Sequence, residues 1–116
     1  MVKKAIESLY KGKCTVTEYR KVRDKESGIL KPREIVVLKD IPCRLSFKNI
    51  YAADLGYGNA VEQEIKLFIS PDAEIKDGSK ITVTQNGVTT DYTNSGKPAV
   101  YSNHKEIILD LFGGWA

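Results

Sequence analysis

The alternation of apolar and polar positions is clearest at residues 81–92, on either side of an Asn86-Gly87 pair. Two such residues between alternating runs favour a type I′ hairpin turn, because both tolerate a positive φ. The register that this turn fixes pairs Gln85 with Val88, Val83 with Thr90, and Ile81 with Tyr92. The mostly apolar side of the hairpin consists of Ile81, Val83, Val88 and Tyr92. The polar side consists of Thr82, Thr84, Thr89 and Asp91.

The same period of two extends through most of the chain. Residues 14–23 are rich in Thr, Val and Tyr, and residues 43–48 and 62–70 alternate between apolar and polar side chains. Among the shorter runs, residues 34–40 form a short strand, and Pro42 then marks a strand start or a bulge, because it cannot donate to a ladder. Such runs, bounded by turn residues, give about eight short strands. We therefore predict an all-β fold, a small antiparallel β-barrel of short strands.

The connection between the strands at 43–48 and 62–70 is long and irregular. Residues 49–60 contain Gly, Ala and Asn, few charges and several apolar side chains. Long connections in compact domains are usually functional or disordered. This composition suits a segment that becomes ordered against a partner. The contact residues that we predict in this loop are Asn49, Ile50, Tyr51, Leu55 and Tyr57.

Both ends of the chain carry apolar side chains suited to contacts. Val2, Ile6 and Leu9 follow helical spacing, so we predict a short N-terminal helix over residues 1–10. A helix this short must dock its apolar side, on its own barrel or on a neighbouring subunit. Trp115 follows a flexible Gly-Gly joint and either caps its own core or inserts into a neighbour. The predicted terminal contacts are Ile6, Leu9 and Trp115.

Length and composition indicate one ordinary globular domain. A chain of 116 residues can bury a sizeable core without a disulfide or a metal. We expect a single domain over residues 1–116, with the barrel at 13–112 and a tail at 113–116. Cys14 and Cys43 have no metal-ligand spacing, so we predict buried free thiols. With no signal-peptide pattern or membrane-length apolar run, we expect a cytoplasmic protein that does not enter membranes.

No set of residues in the sequence indicates an enzyme. His104 is the single histidine, and a turn histidine is a better interpretation than a general base. Asp72, Glu74 and Asp77 lack the spacing of a calcium loop. The glycines mark turns, and no phosphate-binding loop is present. We therefore expect no catalytic residues, no metal site and no cofactor.

The charge distribution leaves a second hypothesis open. The net charge of +3 is a weak excess, but eight basic residues fall within the first 25 positions. A solvated strand face or the rim of an assembly explains most of them. The alternative is a single-stranded nucleic-acid-binding barrel, which needs aromatic and basic side chains on one face. The candidate residues for that face are Tyr19, Arg20, Lys21 and Arg23.

Three segments resemble a known family. They read DIPCRLSF, EIKLFISPDAEIKDGSKITVTQNG and GKPAVYSNHKEIILDLF. They are similar to small XkdH/YqbH-type proteins of PBSX-like prophages, which resemble the head-completion, or stopper, proteins of tailed bacteriophages. The resemblance spans residues 9–116. Its most specific part is the strand, Pro-Asp, acidic-Gly turn and strand at residues 65–84.

The resemblance implies a structural role in virion assembly. Members form a ring of identical copies at the head–tail connector, next to a portal-proximal adaptor and tail-completion proteins. The ring completes or closes the head and joins it to the tail. The loop at residues 49–60 then faces the channel or the next subunit, with transient proximity to packaged DNA. The expected location is the bacterial host cytoplasm during assembly and afterwards the head–tail junction of the virion.

Overall fold

A computed structural model describes residues 10–51 and 61–115 of the chain, apart from the side chains of residues 50, 51, 61 and 62. Within these residues the protein is all-β and contains no helix, which confirms the predicted class. The predicted N-terminal helix, with Ile6 and Leu9, lies outside the described residues. The seven strands are β1 Gly12–Arg23, β2 Leu30–Tyr51, β3 Val61–Ile69, β4 Lys80–Gln85, β5 Val88–Asn94, β6 Ala99–Val100 and β7 Lys105–Leu111.

The strands form one antiparallel sheet that closes on itself. Their order is β3-β2-β1-β4-β5-β7-β6, and β3 also pairs with β7. Six strands therefore form a closed ring, and β6 extends the sheet beside β7. The predicted hairpin between residues 43–48 and 62–70 is present as the β2–β3 pair, in which Leu45 faces Leu67.

Strand β2 differs from the prediction, because residues 34–40 and 43–48 belong to one strand of 22 residues. Its pairing with β1 shifts register near Cys14 and Val16, and Asp40 has a φ of 51°. Extra residues of this kind let a strand bend without ending. Pro42 lies just before β2 begins to pair with β3, where one edge of the strand is open and tolerates proline.

The β4–β5 hairpin has the predicted turn and register. Asn86 and Gly87 have φ angles of 54° and 76°, and Gln85 faces Val88. On the outer side, the Thr82 hydroxyl donates to Asp91 at 2.6 Å. Such cross-strand side-chain pairs add to the stability of a hairpin.

The ring encloses the core. Its buried side chains come from β1, β2, β3, β4, β5 and β7, and from the segment after β3. Both cysteines are buried free thiols, as predicted. Val88, on the mostly apolar side of the hairpin, is nevertheless 63% exposed, and Leu111 of β7 is 69% exposed. Both lie near the ends of their strands, where the ring does not cover them. The core members are Cys14, Val16, Cys43, Leu45, Leu67, Ile69, Ala73, Ile81, Val83, Tyr92, Ile107 and Leu109.

Two hairpin arms extend from the ring, because some residues of β1, β2 and β3 pair with one neighbour only. In the first arm, residues 18–23 pair with residues 30–35 and with no other strand. In the second arm, residues 48–51 pair with residues 61–64. Since β2 contributes to both, the arms extend from opposite ends of that strand.

Candidate functional site

The first arm is a charged ribbon with an apolar tip. Residues 18–35 carry six basic and four acidic side chains. At the turn, Ile29 and Leu30 are 60% and 52% exposed. Adjacent exposed apolar side chains are typical of contact surfaces. The tip is therefore a candidate contact point for another protein chain.

The turn of this arm is held by Asp24. Its carboxylate accepts the backbone N–H of Glu26 and the hydroxyl of Ser27, each at 3.1 Å, and pairs with Lys31 at 3.3 Å. These contacts, the bond from the Glu26 N–H above all, lower the pKa of the Asp24 carboxyl below its ordinary value. The apolar tip is thus presented by an ordered turn.

The second arm corrects the predicted loop. Asn49, Ile50 and Tyr51 are the last residues of β2 and pair with residues 63, 62 and 61. They continue the strand because the cross-strand ladder persists beyond the ring. The connection between β2 and β3 is therefore shorter than predicted and spans residues 52–60. This range, which includes Leu55 and Tyr57, lies outside the described residues. The contact role of these five residues stays a prediction.

An aromatic cluster lies where the first arm meets the ring. Trp115 stacks on Tyr19 of β1, with ring centroids 4.9 Å apart and planes 18° apart. Phe112 meets the indole edge-on, also at 4.9 Å. Such pairs contribute beyond the area they bury. Trp115 therefore lies against the outer surface of its own chain, and its insertion into a neighbour stays a prediction.

Glu34 and Lys80 complete this cluster. The indole Nε1–H donates to Glu34 Oε1 at 3.0 Å, and Lys80 Nζ donates to both oxygens of Glu34 at 2.9 and 3.0 Å. The hydrogen bond from Lys80 has the larger effect and the bond from Trp115 the next largest, and both lower the pKa of the Glu34 carboxyl. Lys80 Nζ also lies 5.9 Å from the centroid of the indole ring. We name Tyr19, Glu34, Lys80 and Phe112 the tryptophan cleft.

Tyr19 and Trp115 are both candidate contact residues in the sequence, but no local pattern connects them. Tyr19 faces Glu34 directly across the arm, and alternation alone predicts that pair once the β1–β2 register is known. The register depends on bulges that composition does not reveal. Lys80 joins the cleft through pairing between β1 and β4, which are distant in sequence.

The proposed nucleic-acid residues do not share one face of the arm. Tyr19 and Lys21 are on one side, whereas Arg20 is on the other, where it pairs with Glu18 at 2.6 Å. The Arg23 guanidinium donates to the Gly28 carbonyl at 2.6 Å. Nucleic-acid binding by these four residues stays a prediction.

His104 lies in a stack of rings outside the core. Its ring is 4.7 Å from Tyr101 and 5.9 Å from Phe68. Nε2 is 2.8 Å from Glu106 Oε2, and Nδ1 is 2.7 Å from Asn103 Oδ1. Both ring nitrogens are therefore bonded to oxygen atoms of neighbouring side chains. In the described part of the chain, no hydroxyl or thiol is bonded to this imidazole.

Residues 10–51 and 61–115 contain no candidate metal site and no candidate membrane-spanning helix. No group of three or more His, Cys, Asp or Glu side chains there could hold a metal ion. No helix among the same residues is long and apolar enough to cross a membrane.

The fold and its surfaces define a class of small all-β proteins, in which a closed ring of antiparallel strands carries two hairpin arms. The structure is similar to that of xkdH, a protein of the phage-like element PBSX from Bacillus subtilis. The TM-score is 0.50 and the identity 11%, over 85% of this chain and 91% of that chain. At this identity the likeness shows the fold, and it confirms the predicted structural resemblance. No protein-family model matches the sequence, and no curated protein matches it.

Proposed function

We propose that this chain is a structural virion-assembly protein of a phage or prophage, which acts at the head–tail connector. Copies form a ring that completes or closes the head and joins it to the tail. The observation that carries the proposal is the likeness of fold to a phage-like element protein over 85% of the chain. In this proposal the closed ring of strands is a small β-barrel that serves as the rigid unit of the assembly.

The two arms support a role based on contacts. The first arm presents Ile29 and Leu30 at an ordered turn, and its strands have unpaired edges. Phe47, 51% exposed, lies at the base of the second arm. Because the arms leave the ring at opposite ends of β2, one copy can touch neighbours in two directions. Such an arrangement suits a unit that sits between two other layers.

The partners in this proposal are copies of the same chain, a portal-proximal adaptor and tail-completion proteins. The connection at residues 52–60 faces the channel or the next subunit, near packaged DNA. The chain works through contact and carries out no reaction. It is made in the bacterial cytoplasm and ends at the head–tail junction of the virion.

Shortening the second arm tests this function. Residues 52–60 are replaced by a two-residue Asn-Gly turn, which keeps the β2–β3 ladder. We expect the variant to fold and to yield heads that lack tails or leak DNA, seen by electron microscopy of particles from a complemented deletion. As a control, Thr89→Ala changes an exposed β5 side chain and should leave particles normal. Normal particles from the shortened variant would contradict the role of the connection.

Single-stranded nucleic-acid binding is the second candidate function. It is supported by the cations Lys21, Lys25 and Arg33 of the first arm, which form no ion pair with any described residue. A labelled oligonucleotide should then bind with an affinity that falls steeply with salt. Lys21→Gln should weaken that binding, whereas Lys97→Gln, beyond β5, should not. An absence of binding at low salt eliminates this function.

A further inference from the structure

The tryptophan cleft holds Trp115 through side-chain contacts alone. No backbone hydrogen bond among the described residues involves Gly113, Gly114 or Trp115, and the last one before them joins the Phe112 N–H to the Asp91 carbonyl at 3.1 Å. The covalent link to the ring is a glycine pair, of which Gly114 has a φ of 111°. The indole is therefore bound at a site to which it is only loosely tethered.

Three of the four residues of the cleft lie on strands of the sheet, and only Phe112 belongs to the segment that leads to the tail. Tyr19 lies on β1, Glu34 on β2 and Lys80 on β4, and the Glu34–Lys80 pair joins two of these strands. Tyr19 stacks on the flat face of the indole, Glu34 accepts its N–H, and Lys80 lies over its electron-rich ring. The half-buried indole also borders a cavity of about 290 Å³ between Tyr19 and the turn at 76–79, so its flank is not enclosed.

We propose that the tryptophan cleft is a binding site for a Gly-Gly-Trp segment, filled in the isolated chain by its own tail and in an assembly by the tail of a second copy. Every contact described above is available equally to an indole from another molecule. Exchange of an identical element between copies needs a flexible hinge and retains the contacts made in one copy. The Gly113-Gly114 pair supplies that hinge.

Concentration decides which tail fills the cleft. A short flexible tether gives the chain's own indole an effective concentration on the order of millimolar. Dilute chains therefore keep their own tails. In an ordered assembly, neighbouring tails reach comparable local concentrations, and exchange then links the copies. This inference requires only that copies meet and does not depend on a head–tail connector.

The test uses Trp115→Ala, which removes the chain's single tryptophan and empties the cleft. An acetylated Gly-Gly-Trp-Ala peptide then carries the only indole, so its fluorescence reports binding directly. We expect saturable binding with a blue shift of the emission, at least about tenfold weaker to the wild-type chain, whose own tail competes. Glu34→Gln, added to Trp115→Ala, should weaken binding about tenfold, because the acceptor of the indole N–H loses its charge. Glu26→Gln, at an exposed carboxylate on the turn of the first arm, should leave it unchanged.

Two further measurements decide the inference. A Gly-Gly-Leu-Ala peptide that displaces the tryptophan peptide with equal strength would overturn the inference, because the cleft would then be merely apolar.

The second measurement mixes two variants. The Trp115→Ala chain keeps an intact cleft but has no indole, and the Tyr19→Ala chain keeps its indole but has a damaged cleft. We expect a one-to-one complex in sedimentation at high concentration, which neither variant forms alone. Failure of the mixture to associate would overturn the exchange between copies.

Discussion

The side-chain amide of Gln85 pairs with the backbone of Leu45 as a neighbouring strand would. Oε1 accepts the Leu45 N–H at 2.8 Å, and Nε2 donates to the Leu45 carbonyl at 3.3 Å. Strand β1 separates β2 from β4 but begins only at Gly12, which faces Cys43. Beyond that point the glutamine amide bridges the two strands, so one side chain extends the closure of the ring.

Replacing this glutamine should lower stability. Gln85→Ala removes both bonds and leaves the backbone groups of buried Leu45 without those partners, which costs about 1–3 kcal/mol in the free energy of unfolding. Urea denaturation followed by circular dichroism measures the change. Gln63→Ala, at an exposed position of β3, should change stability by less than about 0.5 kcal/mol. Equal effects of the two substitutions would show that the bridge contributes nothing.

Gly12 leaves room for the Gln85 amide to reach from β4 to Leu45 of β2. A Cβ at this position would lie 3.2 Å from the Cys43 carbonyl oxygen, the Thr84 carbonyl oxygen and Gln85 Oε1. Two of these atoms are backbone and cannot move without shifting a strand. We expect Gly12→Ala to lower the free energy of unfolding by about 1–3 kcal/mol.

The matched control for that substitution is Gly113→Ala. A Cβ there meets nothing within 4 Å. Removing backbone freedom from the unfolded chain should leave this variant as stable as the wild type or slightly more so. The same denaturation assay compares the two, and a Gly12→Ala variant of unchanged stability would refute the packing argument.

The tryptophan cleft should respond to acid. The bonds from Lys80 and Trp115 hold the pKa of Glu34 below its ordinary value. A carboxyl whose pKa is lowered by folding stabilises the folded state above the unfolded pKa, and this contribution is lost as pH falls through the folded pKa. Trp115 emission should therefore stay constant from neutral pH into the ordinary glutamate range and change only below it. Glu34→Gln should abolish that transition, and an acid transition that persists in this variant would assign it to another group.

The two thiols should be chemically silent in the folded protein. Cys14 and Cys43 are 1% and 0% exposed. The contact with Cys43, followed by burial, raises the pKa of the Cys14 thiol far above its usual range. We expect a disulfide-exchange reagent at pH 8 to label neither thiol in the native state and both in urea, at a rate set by unfolding. Rapid labelling without denaturant would contradict the buried placement of the pair.

Local pattern accounts for much of the fold. Asn86-Gly87 predicts both the turn and the register of β4–β5, because the turn type leaves a single alignment. Alternation also places Cys43 and Leu45 in the core and pairs β2 with β3. The turn and its register depend on residues that are close in sequence. The burial of Cys43 and Leu45 depends on which face of the strand carries the apolar side chains.

The remaining features depend on contacts that a local pattern does not encode. Residues 34–40 and 43–48 form one strand, β2, because bulges and the positive φ of Asp40 let the strand bend where the alternation fails. Val88 alternates correctly yet is exposed, since the ring does not reach it. The meeting of Trp115 with Tyr19 requires the tail to fold back across strands that are distant in sequence.

Strand β2 fixes how the two arms are joined. One uninterrupted backbone of 22 residues forms a side of both hairpins, and no loop separates them. An extended strand rises about 3.3 Å per residue, so the span between the two arms is limited by the length of one covalent backbone. Any surface that contacts both arms at once must match that span.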